Sequence, residues 1–109
     1  MILNFPTEEL RTICAKRSVA TTKLGAAAAL ELAQVLADME ACDSAAEFCD
    51  LYPSVVSVIS SIEKCVKLAT GYSVRFRSGH PSYPAPPAEV TDWNKVTRLR
   101  IVSIEAGNG

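Results

Sequence analysis

Between Tyr72 and Arg77 the chain alternates strictly: Tyr72, Val74 and Phe76 are apolar, while Ser73, Arg75 and Arg77 are polar. A period of two is the pattern of a strand with one face against a core and the other against water. No other stretch constrains the fold as tightly, because it demands a sheet and fixes which side of that sheet is dry. Thr70-Gly71 supplies a turn before the strand and Cys65-Val66-Lys67-Leu68-Ala69 supplies a partner, so the two read as a hairpin. Arg75 and Arg77 then project from one face, with His80 just past the strand end. Two guanidiniums at that spacing suit a bidentate grip on phosphate or carboxylate. The same pattern also describes a solvated face whose arginines pair with nearby acids.

The flanking segments read as support for that hairpin. Ile2-Leu3-Asn4-Phe5, ended by Pro6, predicts an edge strand. Thr7 is placed to cap a helix with Glu8 and Glu9 in its first turn, where acids meet the positive end of the helix dipole. Leu10, Ile13 and Cys14 form its apolar stripe, and Lys16 and Arg17 fall in its last turn. A longer helix is expected from Thr21 or Thr22 to about Cys42, with Leu24, Ala28, Leu32, Val35, Met39 and Cys42 along one stripe. The short connection makes the two helices antiparallel. Ser44-Ala45-Ala46-Glu47 is a capping-box sequence that opens a brief third helix through about Leu51, and Pro53 stops it. The β-branched run from Val55 to Ile59 predicts a strand. Ser78 to Val90, with Pro81, Pro84, Pro86 and Pro87, reads as an exposed loop. Trp93 is expected to pin the end of that loop to the core. Val96 to Glu105 is the last strand. Leu99 and Ile101 share one of its faces, Arg98, Arg100, Val102 and Ile104 the other, which places it inside the sheet.

Strand, helices, hairpin and final strand make an α+β plan, a small antiparallel sheet with helices packed on one side. With 109 residues the chain, 1–109, is a single domain. A net charge of −1 and a pI of about 5.8 exclude a surface that is basic throughout. The charge is unevenly placed, however. Ala26 to Asp50 holds acids and no lysine or arginine, whereas Lys64, Lys67, Arg75 and Arg77 crowd into the hairpin. Cys14, Cys42, Cys49 and Cys65 form no CxxC pair, which predicts free thiols in a reducing cytoplasm rather than a zinc site. No run approaches a membrane-spanning length, and Met1 to Pro6 lacks a basic n-region. A cytoplasmic chain without signal peptide or membrane contact is therefore expected.

Several stretches follow one another in a telling order: Leu10-Arg11-Thr12-Ile13-Cys14, Leu24-Gly25, Leu36-Ala37-Asp38-Met39, Cys65 through Tyr72, and Asp92 through Ile101. Together they resemble the RelE/ParE superfamily of toxins from type II toxin–antitoxin modules, closest to its HigB-like, plasmid-killer branch. The resemblance covers nearly the whole chain. It implies the small microbial-ribonuclease-like toxin fold. It implies cleavage of mRNA in the ribosomal decoding site, without metal or cofactor. The partner it implies is a cognate antitoxin, in this branch commonly with a helix-turn-helix domain, and the assemblies are a homo-oligomer or a toxin–antitoxin hetero-oligomer. Carried onto this sequence, catalysis falls to Arg75, Arg77 and His80, and RNA contact to Lys64, Lys67, Tyr72, Ser73, Tyr83, Arg98 and Arg100. Metal-free cleavage uses the 2′-hydroxyl as nucleophile. The arginines would then stabilise the crowded phosphate, and His80, the one histidine, would move protons. Tyr72 and Tyr83 would stack on bases.

This sequence departs from the family pattern in places. Ser73 stands where an arginine usually follows the aromatic of the hairpin. Val58-Ile59-Ser60-Ser61-Ile62-Glu63 replaces a basic, glycine-containing loop, and Ala106-Gly107-Asn108 stands where relatives in this branch often carry Asp-Tyr-His. With the acidic pI, these departures motivate an alternative: a non-catalytic binding module on the same scaffold. It would hold an antitoxin or regulator, or poison a target such as gyrase by contact. A further alternative is an accessory subunit that docks through the loop from Pro81 to Pro87.

Overall fold

The computed structural model describes residues 1–79 and 92–106. Two of its helices begin where a side chain satisfies an open N–H group. Thr7 Oγ1 accepts a hydrogen bond from Leu10 N at 3.1 Å and starts α1 (Glu8–Ala15). Lys16 is the extended residue after α1 rather than part of its last turn, and α2 (Arg17–Leu24) follows at once. The single long helix expected from Thr21 or Thr22 is thus two helices broken at Gly25. Its φ of 93° and ψ of 158° belong to a region essentially closed to residues with a Cβ, so α3 (Ala26–Ala41) has to start afresh. In α3 the expected stripe is the buried one: Ala28, Leu32, Val35 and Met39 face inward, with Cys42 buried just beyond. For α4 (Ala45–Leu51), Ser44 Oγ accepts from Glu47 N at 3.2 Å while the Glu47 carboxylate accepts from Asp43 N at 3.3 Å.

Five strands follow: β1 (Ile2–Asn4), β2 (Val56–Ser60), β3 (Glu63–Lys67), β4 (Tyr72–Ser78) and β5 (Arg98–Ala106), in the spatial order β1-β5-β4-β3-β2. β1 runs parallel to β5, and the other neighbours are antiparallel. The sheet is therefore mixed, not antiparallel throughout as the sequence suggested. A parallel pair needs a long crossover, and the helical layer and hairpin between β1 and β5 provide one. β5 lies inside the sheet, as expected, but its second face is not the reason. Val102 is an extra residue between the pairs Phe76↔Ile101 and Arg75↔Ser103. This bulge returns Ile104 to the core side, opposite Val74.

The helices cover one face of the sheet. Leu32, Val35, Leu36, Met39 and Phe48 pack there with Val66, Val74, Phe76, Leu99 and Ile101 in one cluster. Phe76 meets Phe48 edge-on at 5.9 Å and Trp93 edge-on at 6.0 Å. Trp93 opens a single 3-10 turn (Trp93–Lys95) before β5, so it does anchor that approach to the core. The hairpin turn closes with Leu68 N donating to Tyr72 O at 2.7 Å, and Gly71 supplies the left-handed residue at φ 106°. Gly79 must be glycine for another reason. A Cβ there would lie 2.9 Å from the Leu99 carbonyl carbon and 3.1 Å from Arg100 N. Among the described residues no helix covers the opposite face of the sheet.

Candidate nucleic-acid interface

Residues paired across strands share a face. The pairs Lys67↔Ser73, Cys65↔Arg75 and Glu63↔Arg77, with Ser73↔Glu105, Arg75↔Ser103 and Arg77↔Arg100, assemble the bare face. It gathers Lys67, Ser73, Arg75, Arg77 and Arg100, with Arg98 two residues along, against the carboxylates of Glu63 and Glu105. Lys64 and Tyr72 lie elsewhere. Lys64 pairs with Phe76 on the helical side, its ammonium 5.1 Å from the Trp93 ring centroid and 3.9 Å from Cys49 Sγ. Tyr72 packs against the edge of the core. The other two sequence-predicted residues, His80 and Tyr83, lie outside the described residues, as does the proline-rich stretch around them.

Arg75 and Arg77 are not free. Arg75 Nε lies 2.7 Å from Glu63 Oε2, and Arg77 Nη2 donates to Glu63 Oε1 at 3.0 Å. Arg75 Nη1 also donates to Glu105 Oε2 at 3.4 Å, an oxygen that accepts from Ser103 Oγ at 2.8 Å. The 2.7 Å approach is ionic only, because Arg75 Nε and Glu63 Oε2 are misaligned and neither completes a hydrogen bond; buried Arg77 Nε lacks one too. Of the two readings of that face, the geometry is that of arginines paired with nearby acids. Glu63 sits opposite Arg77 and diagonally from Arg75, and it is the one buried charged residue among those described. A carboxylate in that position requires cations beside it.

The charges reinforce one another. The negative charge of Glu63 foremost, against a desolvation cost and with help from Glu105, pushes the Arg75 pKa above its ordinary value. Ser103's hydrogen bond foremost, opposed by desolvation and joined by Arg75, holds the Glu105 carboxyl below its ordinary value. Lys67, Arg98 and Arg100, by contrast, are exposed and make no ion pair among the described residues.

This arrangement can hold an extended anion. Its guanidiniums and ammonium are hydrogen-bond donors only, and the carboxylates of Glu63 and Glu105 are already engaged with Arg75 and Arg77. Cys14 and Cys49 are not poised nucleophiles: burial lifts Cys14 to about 12 and raises Cys49 even though Lys64 beside it pulls the other way. Glu63, Glu105 and Ser103 were not singled out from the sequence. The signal for Glu63 was present, since extending the hairpin two residues upstream of Cys65 sets it opposite Arg77. No family model, curated protein or solved structure matches the chain.

Proposed function

We propose that this chain is the toxin of a type II toxin–antitoxin module, built on a RelE-like scaffold. Its target is mRNA on the ribosome, which it meets with the bare face of its sheet and cleaves as a metal-free endoribonuclease. The observation that carries this reading is the grouping of cations on one face of the sheet. Among the described residues Lys67, Arg98 and Arg100 make no ion pair there, and the helical stretch from Ala26 to Asp50 contains no lysine or arginine. A face of that kind favours a polyanion at contact range. The resemblance in order and spacing supplies the scaffold and the genetic role, including a cognate antitoxin as partner.

A second reading, the non-catalytic binding module, is favoured by a specific observation: Glu63 and Glu105 already occupy Arg75 and Arg77. Cleavage through those arginines requires a phosphodiester to displace at least one carboxylate. Polyanion binding is the half of the proposal that the described geometry supports, and cleavage is the half that stands on the resemblance.

Inducing the chain alone in bacteria and mapping transcript ends tests both. Growth arrest with mRNA cut inside translated codons, relieved by Arg75→Ala with Arg77→Ala in a soluble double variant, supports cleavage. Arrest with intact transcripts, relieved instead by Arg98→Ala with Arg100→Ala, supports binding. Normal growth at good levels of folded protein overturns the toxin reading.

A further inference from the structure

The two carboxylates that meet Arg75 differ in kind. The Glu63 side chain is 7% exposed and touches both guanidiniums, at 2.7 and 3.0 Å. Removing it strands two charges over a nearly dry position, so it stays. The Glu105 side chain is 52% exposed, reaches Arg75 through one long contact of 3.4 Å, and is steadied by Ser103. An exposed carboxylate at that distance exchanges with water at little cost. Arg75 is thus pinned along its Nε edge and loosely met at Nη1, while Nη2 makes no hydrogen bond among the described residues. Its Nη1 and Nη2 edge has the fork geometry that grips two oxygens of one phosphate. The charge also balances: two guanidiniums less one buried carboxylate leave one positive charge, the complement of a single phosphodiester.

We propose that Glu105 sits in the seat of a ligand's anionic oxygen on Arg75 as an internal competitor, and that Glu63 is a positioning residue that aims Arg75 and Arg77 at that seat. The ligand is a phosphodiester of single-stranded RNA, and this rests on the reading of the bare face as an RNA interface. The two carboxylates therefore have opposite effects on affinity, although each substitution by glutamine removes the same single negative charge.

Anisotropy of a labelled, short single-stranded RNA, measured at about 0.1 M salt so that distant charges are screened, tests this. Glu105→Gln is expected to bind about two- to fivefold more tightly than the unmodified chain, and Ser103→Ala, which releases Glu105, to shift in the same direction. Glu63→Gln is expected to bind about fivefold more weakly per folded molecule, because its arginines are no longer held in place. Glu40→Gln on the helical layer controls for net charge and should change little. If Glu63→Gln does not fold, Glu105→Gln and Ser103→Ala against Glu40→Gln still decide the competitor role. An equal gain from all three acid-to-amide changes, or no gain from Glu105→Gln, overturns the proposal. Tripolyphosphate added to the ¹⁵N-labelled chain separates the two layers of the argument. If no variant binds RNA but the Arg75 side-chain resonance moves more in Glu105→Gln than in the unmodified chain, the seat stands and RNA is overturned as its occupant. No response to either probe overturns both.

Discussion

At the level of single residues, Glu31 does for the hairpin turn what Glu63 does for the arginines. From α3 its carboxylate accepts hydrogen bonds from Ala69 N at 2.7 Å, Thr70 N at 3.1 Å and Thr70 Oγ1 at 2.7 Å. It thereby ties the turn that aims β4 to the helical layer beneath. Burial works against the charged form, but the hydrogen bonds from Thr70 and Ala69 outweigh it, so the Glu31 carboxyl lies below its ordinary value of 4.5. A depressed carboxyl stabilises the fold at any pH above its unfolded value, and that stabilisation disappears as pH falls through the folded value. Glu31→Gln should therefore cost about 1 kcal/mol near neutral pH, an exposed-site discount on charge-assisted hydrogen bonds. The difference from the unmodified chain should shrink as the pH is taken below 4.5. Urea unfolding at several pH values reads both effects. A deficit that is the same in acid and at neutrality would mean that the amide lost packing rather than charge.

At the level of elements, the parts that were readable are those whose signal is local. Thr7 and Ser44 both cap as their sequences suggested, and the alternation in β4 does put Val74 and Phe76 in the core and Arg75 and Arg77 outside. The failures have a physical pattern. α2 has no proper apolar stripe and buries only Ala20, so nothing in Arg17–Leu24 announces a helix separate from α3. What separates them is one backbone angle at Gly25, which composition cannot display. The parallel pairing of β1 and the bulge at Val102 are set by contacts between distant strands, and the occupancy of Arg75 by Glu63 and Glu105 likewise depends on register. Gly25 offers a direct check. Space around it is open, with nothing within 4 Å of an added Cβ, so Gly25→Ala bears only the backbone strain. Its φ of 93° predicts a loss of about 1–3 kcal/mol. Chemical denaturation should show this with helical ellipticity unchanged. A stabilised variant with more ellipticity would instead mean that α2 and α3 had fused into the continuous helix expected from the sequence.

At the level of the whole molecule, an acidic protein that binds a polyanion must present its cations at contact range while its net charge repels from afar. The chain carries −1 overall, and its extents are 41 × 28 × 24 Å. Screening decides which of the two is felt. Near 0.15 M salt the Debye length is about 8 Å, so RNA on the bare face, as proposed, would respond to Lys67, Arg98 and Arg100 and hardly to the acids behind the sheet. Near 0.01 M it is about 30 Å, comparable with the molecule, and the acidic layer is felt as well. The plot of log affinity against log salt should therefore be linear at moderate salt and flatten as salt is removed, unlike that of a uniformly basic binder. On the linear part each phosphate contact contributes about 0.7 to the slope for a single strand. Arg98→Ala with Arg100→Ala should then lower the slope by about 1.4. Arg75→Ala with Arg77→Ala should lower it by less, because Glu63 and Glu105 already neutralise part of that pair. Lys23→Ala, in the last turn of α2, should leave it unchanged. A line that stays straight to the lowest salt, or a Lys23→Ala slope that falls as far as that of the β5 pair, would mean that RNA is attracted by the molecule as a whole and has no preferred face.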